Sequence, residues 1–164
     1  MMRVAVVGYG YWGPNLARNF AETQGAELAA ICDTRASNLD SVRVRFPFAK
    51  ATTDFNEICA DPTIDAVVVA TPVSTHAPLA LQALRAGKHV LVTKPIAATS
   101  ADARAMVEEA EKLGLVLMVD HTFVFMGAVQ KVRDLVASGE LGDLYYFDSV
   151  RVNLGLYQHD VSVL

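Results

Sequence analysis

The residues that point most directly to chemistry are Gly8, Gly10 and Gly13, spaced as G-x-G-x-x-G behind the apolar run Val4–Val7, with Asp33 twenty residues beyond the last glycine. Each has a separate physical task in gripping a dinucleotide. Gly8 permits a tight turn, Gly10 lets the backbone approach a pyrophosphate, and Gly13 lets the following helix pack close to the strand. That helix offers unpaired N–H groups and the positive end of its dipole to the phosphates. Tyr11 and Trp12, held between the glycines, count with them as cofactor-binding residues. Asp33 can accept both hydroxyls of an adenine ribose, and its charge would repel a 2′-phosphate, which favours NAD over NADP. The bland reading of Asp33 is a helix cap or turn aspartate. Arg35 stands two residues on, where it can cover the adenine, reach a 2′-phosphate, or simply lie in solvent.

Two further stretches leave apolar runs at positions where an open α/β sheet holds its ligands. Thr71-Pro72 follows Ala66–Ala70; Thr71 can bond ribose or pyrophosphate, and Pro72 stiffens the loop. His76 lies close behind, as a structural hydrogen-bonding group or as a cofactor contact. Lys94-Pro95 follows His89–Val92, and a lysine facing an apolar cleft can exchange a proton with a substrate hydroxyl. Taken alone, Lys94 would be a surface lysine on a turn.

The elements that must hold these residues alternate along the chain. Strand patterns cover Arg3–Val7, Glu27–Cys32, Ala66–Ala70, His89–Val92 and Leu115–Val119. Helical patterns lie between them: from Pro14 to about Thr23, Ser37–Arg45, a short one at Asp54–Glu57, Pro78–Ala86, and one after the capping box Thr99-x-x-Asp102. The last carries Ala103, Met106, Val107, Ala110 and Leu113 on one face. The alternation implies a Rossmann-type α/β fold, a doubly wound parallel sheet of six strands, one more than the five runs just named, complete by about Asp120. Residues 121–164 read differently, as a linker helix at Gly127–Ser138 with Val129, Val132 and Val136 on one side, then a strand at Leu144–Asn153. One helix and one strand cannot bury their apolar faces alone. This part is expected to be the truncated start of an α+β second domain.

With 164 residues, 52% of them hydrophobic and 20% charged, the chain has ample material for a packed core. A net charge of −4 and the lack of any Lys/Arg cluster argue against nucleic-acid and membrane-surface partners. Cys32 and Cys59 have neither metal-ligand spacing nor a disulfide framework, so no metal site is expected. No signal-peptide or transmembrane pattern is present, and the expected setting is cytoplasmic.

In order, GYGYWG, Asp33, VVVATPVSTH and KHVLVTKPIA resemble the glucose–fructose oxidoreductase/inositol dehydrogenase family (Gfo/Idh/MocA). The later HTFVF, SGELGDLYYFDSVRVNLGL and YQHDVSVL segments are similar to that family too, so the resemblance spans the chain. It implies an NAD(P)-dependent oxidoreductase moving hydride to or from a secondary alcohol of a sugar, cyclitol or nucleotide sugar. It further implies that Lys94 is the lysine of a Glu-Lys-Pro motif, reaching the substrate hydroxyl, beside a proline that is typically cis. Thr93 replaces the motif's glutamate. Family members run to about twice this length, and an aspartate and histidine of their second domain complete the proton relay. Those are expected just beyond Leu164; His159 and Asp160 precede that motif, so the 164-residue chain is expected to be inactive alone. Arg151, Asn153, Tyr157 and Gln158 lie in the segment that leads to the substrate side in relatives, or else alternate along an ordinary strand and loop. RVNLGLYQHD looks nearest to members handling sugar nucleotides or sugar acids. His121 and Phe123 are placed to line the cleft or to pack a hinge. A homo-oligomer is expected, and the rival to an enzyme half is a truncated NAD-binding module without turnover, a sensor or assembly partner.

Overall fold

The computed structural model describes residues 1–150 and 152. They divide into two compact units, the first Met1–Asp120 and the second starting at His121. Six parallel strands build the first unit: β1 (Met2–Val7), β2 (Ala26–Cys32), β3 (Lys50–Thr52), β4 (Ala66–Val69), β5 (His89–Thr93) and β6 (Leu117–Asp120). Their order across the sheet is β3-β2-β1-β4-β5-β6. This is the doubly wound arrangement, whose strand order reverses between β1 and β4 and leaves a crevice at the carboxyl ends. Helices α1 (Gly13–Glu22), α2 (Ala36–Arg45), α3 (Phe55–Ala60), α4 (His76–Arg85) and α5 (Ser100–Leu113) connect them.

Alternation along the strands divides the core in two. Val4, Val6 and Val68 join Leu16 and Ala17 of α1 and Leu39 and Val42 of α2 on one face. Ala5, Val7, Val67 and Val69 join Ile58 of α3, Ala80 and Leu84 of α4, and Met106 and Ala110 of α5 on the other. The unbroken apolar run of β1 thus serves two cores at once, as a central parallel strand must.

Local chemistry sets the helix ends. The Asp54 side chain accepts from Asn56 N–H at 2.8 Å to open α3, and the Thr99 hydroxyl accepts from Asp102 N–H at 3.1 Å to open α5. On α5, Met106 and Ala110 are buried, whereas Val107 and Leu113 lie at the rim and stay exposed. Lys88 is buried as well, its ammonium donating to the carbonyls of Asp61 at 2.6 Å and Ile64 at 2.8 Å. The ammonium finds its acceptors in backbone carbonyls of the loop before β4, of which Asp61 O also accepts from Ile64 N–H at 3.3 Å.

The second unit holds a short 3₁₀ turn at Thr122–Phe125 and α6 (Gly127–Ala137), with no buried residue on α6. The strand expected at Leu144–Asn153 does not form over residues 144–150, which carry no regular structure; Asn153 lies outside the described residues. Tyr145, Tyr146 and Phe147 are well exposed there. A strand is defined by its partner, and no described strand pairs with this segment.

Candidate functional site

The strand ends are locked together at the carboxyl edge. Gly8 N–H donates to Cys32 O at 2.8 Å, and Ala70 N–H donates to Val7 O at 2.7 Å. This holds the turn after β1 between β2 and β4. Gly8 has φ of +92°, and a Cβ there would lie 2.5 Å from Ala70 O. A Cβ on Gly13 would stand 2.0 Å from Gly8 O, so α1 approaches the turn more closely than any other residue allows. Gly10 differs. Its nearest neighbour would be the Arg35 Nη2 at an ordinary 3.6 Å. Two of the glycines are demanded by the fold, and the third leaves backbone bare towards open space.

That space is a cleft of about 680 Å³ lined by Gly8, Gly10, Tyr11, Asp33, Arg35, Thr71 and Pro72. Helix α1 points its N-terminus at the glycine turn with no side-chain cap and no acidic residue in its first turn. Its dipole and N–H groups are therefore available to an anion. Asp33, 7% exposed, accepts from Tyr9 N–H at 2.7 Å on Oδ2 and from Arg35 N–H at 2.8 Å on Oδ1. Burial by itself pushes its carboxyl up. The neighbouring Asn38 amide, the two N–H bonds and the Arg35 charge outweigh that and hold it below the usual aspartate range. The Asn38 Nδ2 lies near enough to favour the anion but completes no hydrogen bond of ordinary geometry. Each carboxylate oxygen keeps a lone pair for a further donor. The Arg35 guanidinium sits 3.7 Å from Oδ1 and two-thirds exposed, flanking the same end of the cleft. Beneath them burial pushes the Cys32 thiol up to about 11, and the Asp33 charge adds to it.

The far wall belongs to residues the sequence pattern did not single out: Thr53 and Phe55 after β3, and Leu79 and Gln82 on α4. Gln82 Nε2 donates to Asn56 Oδ1 at 2.8 Å, tying α3 to α4 across this wall. A three-residue β3 is too short to show a period, so its loop carries no strand signal in the sequence.

His76 takes an interior place rather than a cleft position. It is 1% exposed, with Nδ1 2.9 Å from Pro95 O and Nε2 2.8 Å from Thr71 O. A neutral imidazole carries one N–H, so it donates to one of these carbonyls at a time, and the ring fastens the loop after β4 to the loop after β5. Of the two roles the sequence left open, this is the structural hydrogen-bonding one, and the ring is not part of the cleft lining. Thr93 is buried too, its hydroxyl 3.4 Å from His76 Nε2, and is not part of the cleft lining. The Thr75 hydroxyl lies 2.7 Å from both the Thr71 hydroxyl and Pro72 O, shaping the cleft-side loop. Lys94 is exposed immediately after β5, joined to Pro95 by a cis peptide bond. Trp12, before α1, donates from Nε1 to Asp120 Oδ2 at 3.0 Å, a contact between residues 108 apart that no sequence signal announced. His121 opens the second unit. Arg151, Asn153, Tyr157 and Gln158 lie outside the described residues.

A glycine turn built for an anion, an ionised carboxylate at the end of β2 and a cleft between them are the parts of a nucleotide site. Residues 2–121 match the family described as "Oxidoreductase family, NAD-binding Rossmann fold", GFO_IDH_MocA. The chain belongs to the Gfo/Idh/MocA family. An uncharacterized oxidoreductase, YdgJ of Escherichia coli, is 38% identical over 149 residues, 90% of this chain and 42% of that protein. Myo-inositol 2-dehydrogenase of Thermotoga maritima is 33% identical over 141 residues, 86% of this chain and 42% of that protein. Among solved structures, scyllo-inositol dehydrogenase from Lactobacillus casei with bound NAD(H) and scyllo-inositol aligns at a TM-score of 0.82 and 26% identity, covering 87% of this chain and 43% of that one. The Gfo/Idh/MocA chain described here thus spans less than half the length of these relatives. Among the described residues, no helix is long and apolar enough to cross a membrane.

Proposed function

We propose that this Gfo/Idh/MocA chain is the cofactor-binding half of an NAD-dependent dehydrogenase that acts on a secondary alcohol of a sugar, cyclitol or nucleotide sugar. The observation that carries the reading is the buried, ionised Asp33 beside the bare backbone of Gly10. A methyl group would fill the cradle at Gly10, and the Asp33 oxygens have room for ribose hydroxyls, so the residues fit a dinucleotide. Gly10, Tyr11 and the start of α1 would hold the pyrophosphate; Asp33 and Arg35 would hold the adenosine, with Thr71 and Pro72 beyond. A bound nicotinamide would supply the hydride acceptor or donor. Lys94, exposed at the carboxyl edge, is the group that takes or returns the hydroxyl proton. Inositol dehydrogenases among the relatives support the substrate class.

Calorimetric titration of the chain tests the cofactor. NADH should bind more tightly than NADPH, because the Asp33 charge opposes a 2′-phosphate. Losing a hydrogen bond to a charged group costs roughly 1.5–3 kcal/mol, so Asp33→Ala should weaken NADH binding about tenfold or more. Equal affinity for the two cofactors, or no effect of the substitution, removes Asp33 from the site. In a polypeptide of the relatives' full length, Lys94→Ala should lower kcat by about 10²–10⁴-fold while changing NADH affinity little. The reading includes self-association, supported by the exposed Val129, Val132 and Val136 of α6. Light scattering that finds only monomers would remove that part.

A further inference from the structure

Among the described residues, the contact between Trp12 and Asp120 is a long-range side-chain bond at the carboxyl edge that the cofactor reading leaves without a task. Trp12 stands directly before α1, and Asp120 is the last residue of β6, in register with Thr93 beside Lys94. Along the sheet the order runs β1-β4-β5-β6, so three interstrand steps separate the strand that feeds Trp12 from the strand that ends in Asp120. At 4.7–4.9 Å per step this is roughly 14 Å. The loop after β1 and the indole together cover that span, with the ends of β4 and β5 between. Tyr11, which lines the cleft, lies alongside Trp12 with ring centroids 6.4 Å apart. Of these residues Tyr11 lines the cleft, Trp12 stacks beside it, and Asp120 holds the indole N–H.

The same strand order sets the direction of a bound dinucleotide. With its ribose at Asp33 beyond β2 and its pyrophosphate at Gly10 beyond β1, the rest of the molecule must run on over β4 towards β5. That path meets the indole. Trp12 is 40% exposed, so its ring orientation depends on the few partners it has. The geometry points to Trp12 as the platform for the nicotinamide half of the cofactor, and to Asp120 as the positioning residue that fixes the indole by accepting its N–H. This inference rests on the dinucleotide reading above and adds an assigned place for its second half.

The test compares NADH with ADP-ribose, which shares the adenosine and pyrophosphate but lacks nicotinamide. Trp12 is the sole tryptophan of the chain, so intrinsic fluorescence reports on it alone. NADH should quench that emission strongly in the wild type, and ADP-ribose should not. By calorimetry, Asp120→Ala should weaken NADH about three- to tenfold, the range of one net hydrogen bond, and leave ADP-ribose unchanged. Asp120→Asn keeps an acceptor and should restore wild-type affinity. Trp12→Phe should match Asp120→Ala, and combining the two should add nothing further. If Asp120→Ala leaves NADH affinity unchanged, lowers ADP-ribose affinity in parallel, or is not rescued by asparagine, the inference is overturned while the dinucleotide site stands. If the wild-type chain binds neither ligand, the site reading falls and takes this inference with it.

Discussion

Replacing Gly10 and Gly13 separately by alanine should split one motif into two unrelated phenotypes. At Gly13 the new Cβ would lie 2.0 Å from Gly8 O and 3.0 Å from Gly8 C, both backbone atoms that no rotamer change can move. Separation to an ordinary contact near 3.4 Å requires α1 to shift by more than 1 Å against β1, through a core that includes the buried Leu16 and Ala17. Overpacking of this kind costs about 1–3 kcal/mol. Because backbone must move, we expect the upper end, about 2–3 kcal/mol. For a chain of this size that lowers the Tm by roughly 4–12 °C. At Gly10 the Cβ meets only Arg35 Nη2 at 3.6 Å, and the φ of Gly10 is not in the left-handed region. Stability should then change by no more than about 0.5 kcal/mol, while the methyl stands where the pyrophosphate must approach and NADH affinity falls at least tenfold. Thermal unfolding and calorimetric titration with NADH, run on both variants, separate the two outcomes. A Gly13→Ala protein as stable as the wild type, or a Gly10→Ala protein that binds NADH normally, would refute the division of labour among the glycines.

His76→Phe removes the one N–H that the ring offers to Thr71 O or Pro95 O, both part-buried, and should cost about 1–3 kcal/mol in urea unfolding; a loss below about 0.5 kcal/mol would show that the clamp contributes nothing. Asp33 has a lowered folded pKa, so its charged form stabilises the fold. That contribution is present above the unfolded-state value of about 3.9 and is lost as pH falls through the lower folded value. The stability gap between wild type and Asp33→Asn should therefore narrow between about pH 5 and pH 2, and a gap that does not vary with pH would contradict the assignment. The Cys32 thiol, pushed up to about 11 by burial and then by Asp33, should resist alkylation by iodoacetamide at pH 8 in the folded chain and react once unfolded. Equal rates in the two states would sink that expectation.

Much of the fold was written in local patterns. The runs at β1, β2, β4 and β5 are apolar at nearly every position because parallel strands are buried on both faces, and a run of that kind needs no partner to be recognised. The caps at Asp54 and Thr99 and the glycine spacing with Asp33 are short-range codes of the same sort. They suffice for the α/β class, for the site's place at the carboxyl edge and for its nucleotide chemistry. Tertiary structure decided the rest, wherever a residue's role depends on what distant chain brings to it. Lys88 carries no local signal of burial; two carbonyls of the loop before β4 meet its ammonium only in the folded chain. His76 reads as a structural group or a ligand contact, and only the carbonyls of Thr71 and Pro95 beside its ring favour the first. β3, three residues long, exists because Ala30–Cys32 of β2 offers it a ladder. The aromatic run at Tyr145–Phe147 has strand propensity and no described ladder to join. Propensity and period are properties of a segment, which sequence carries; pairing, burial and the Trp12–Asp120 contact are properties of two segments, and only the folded chain brings both together.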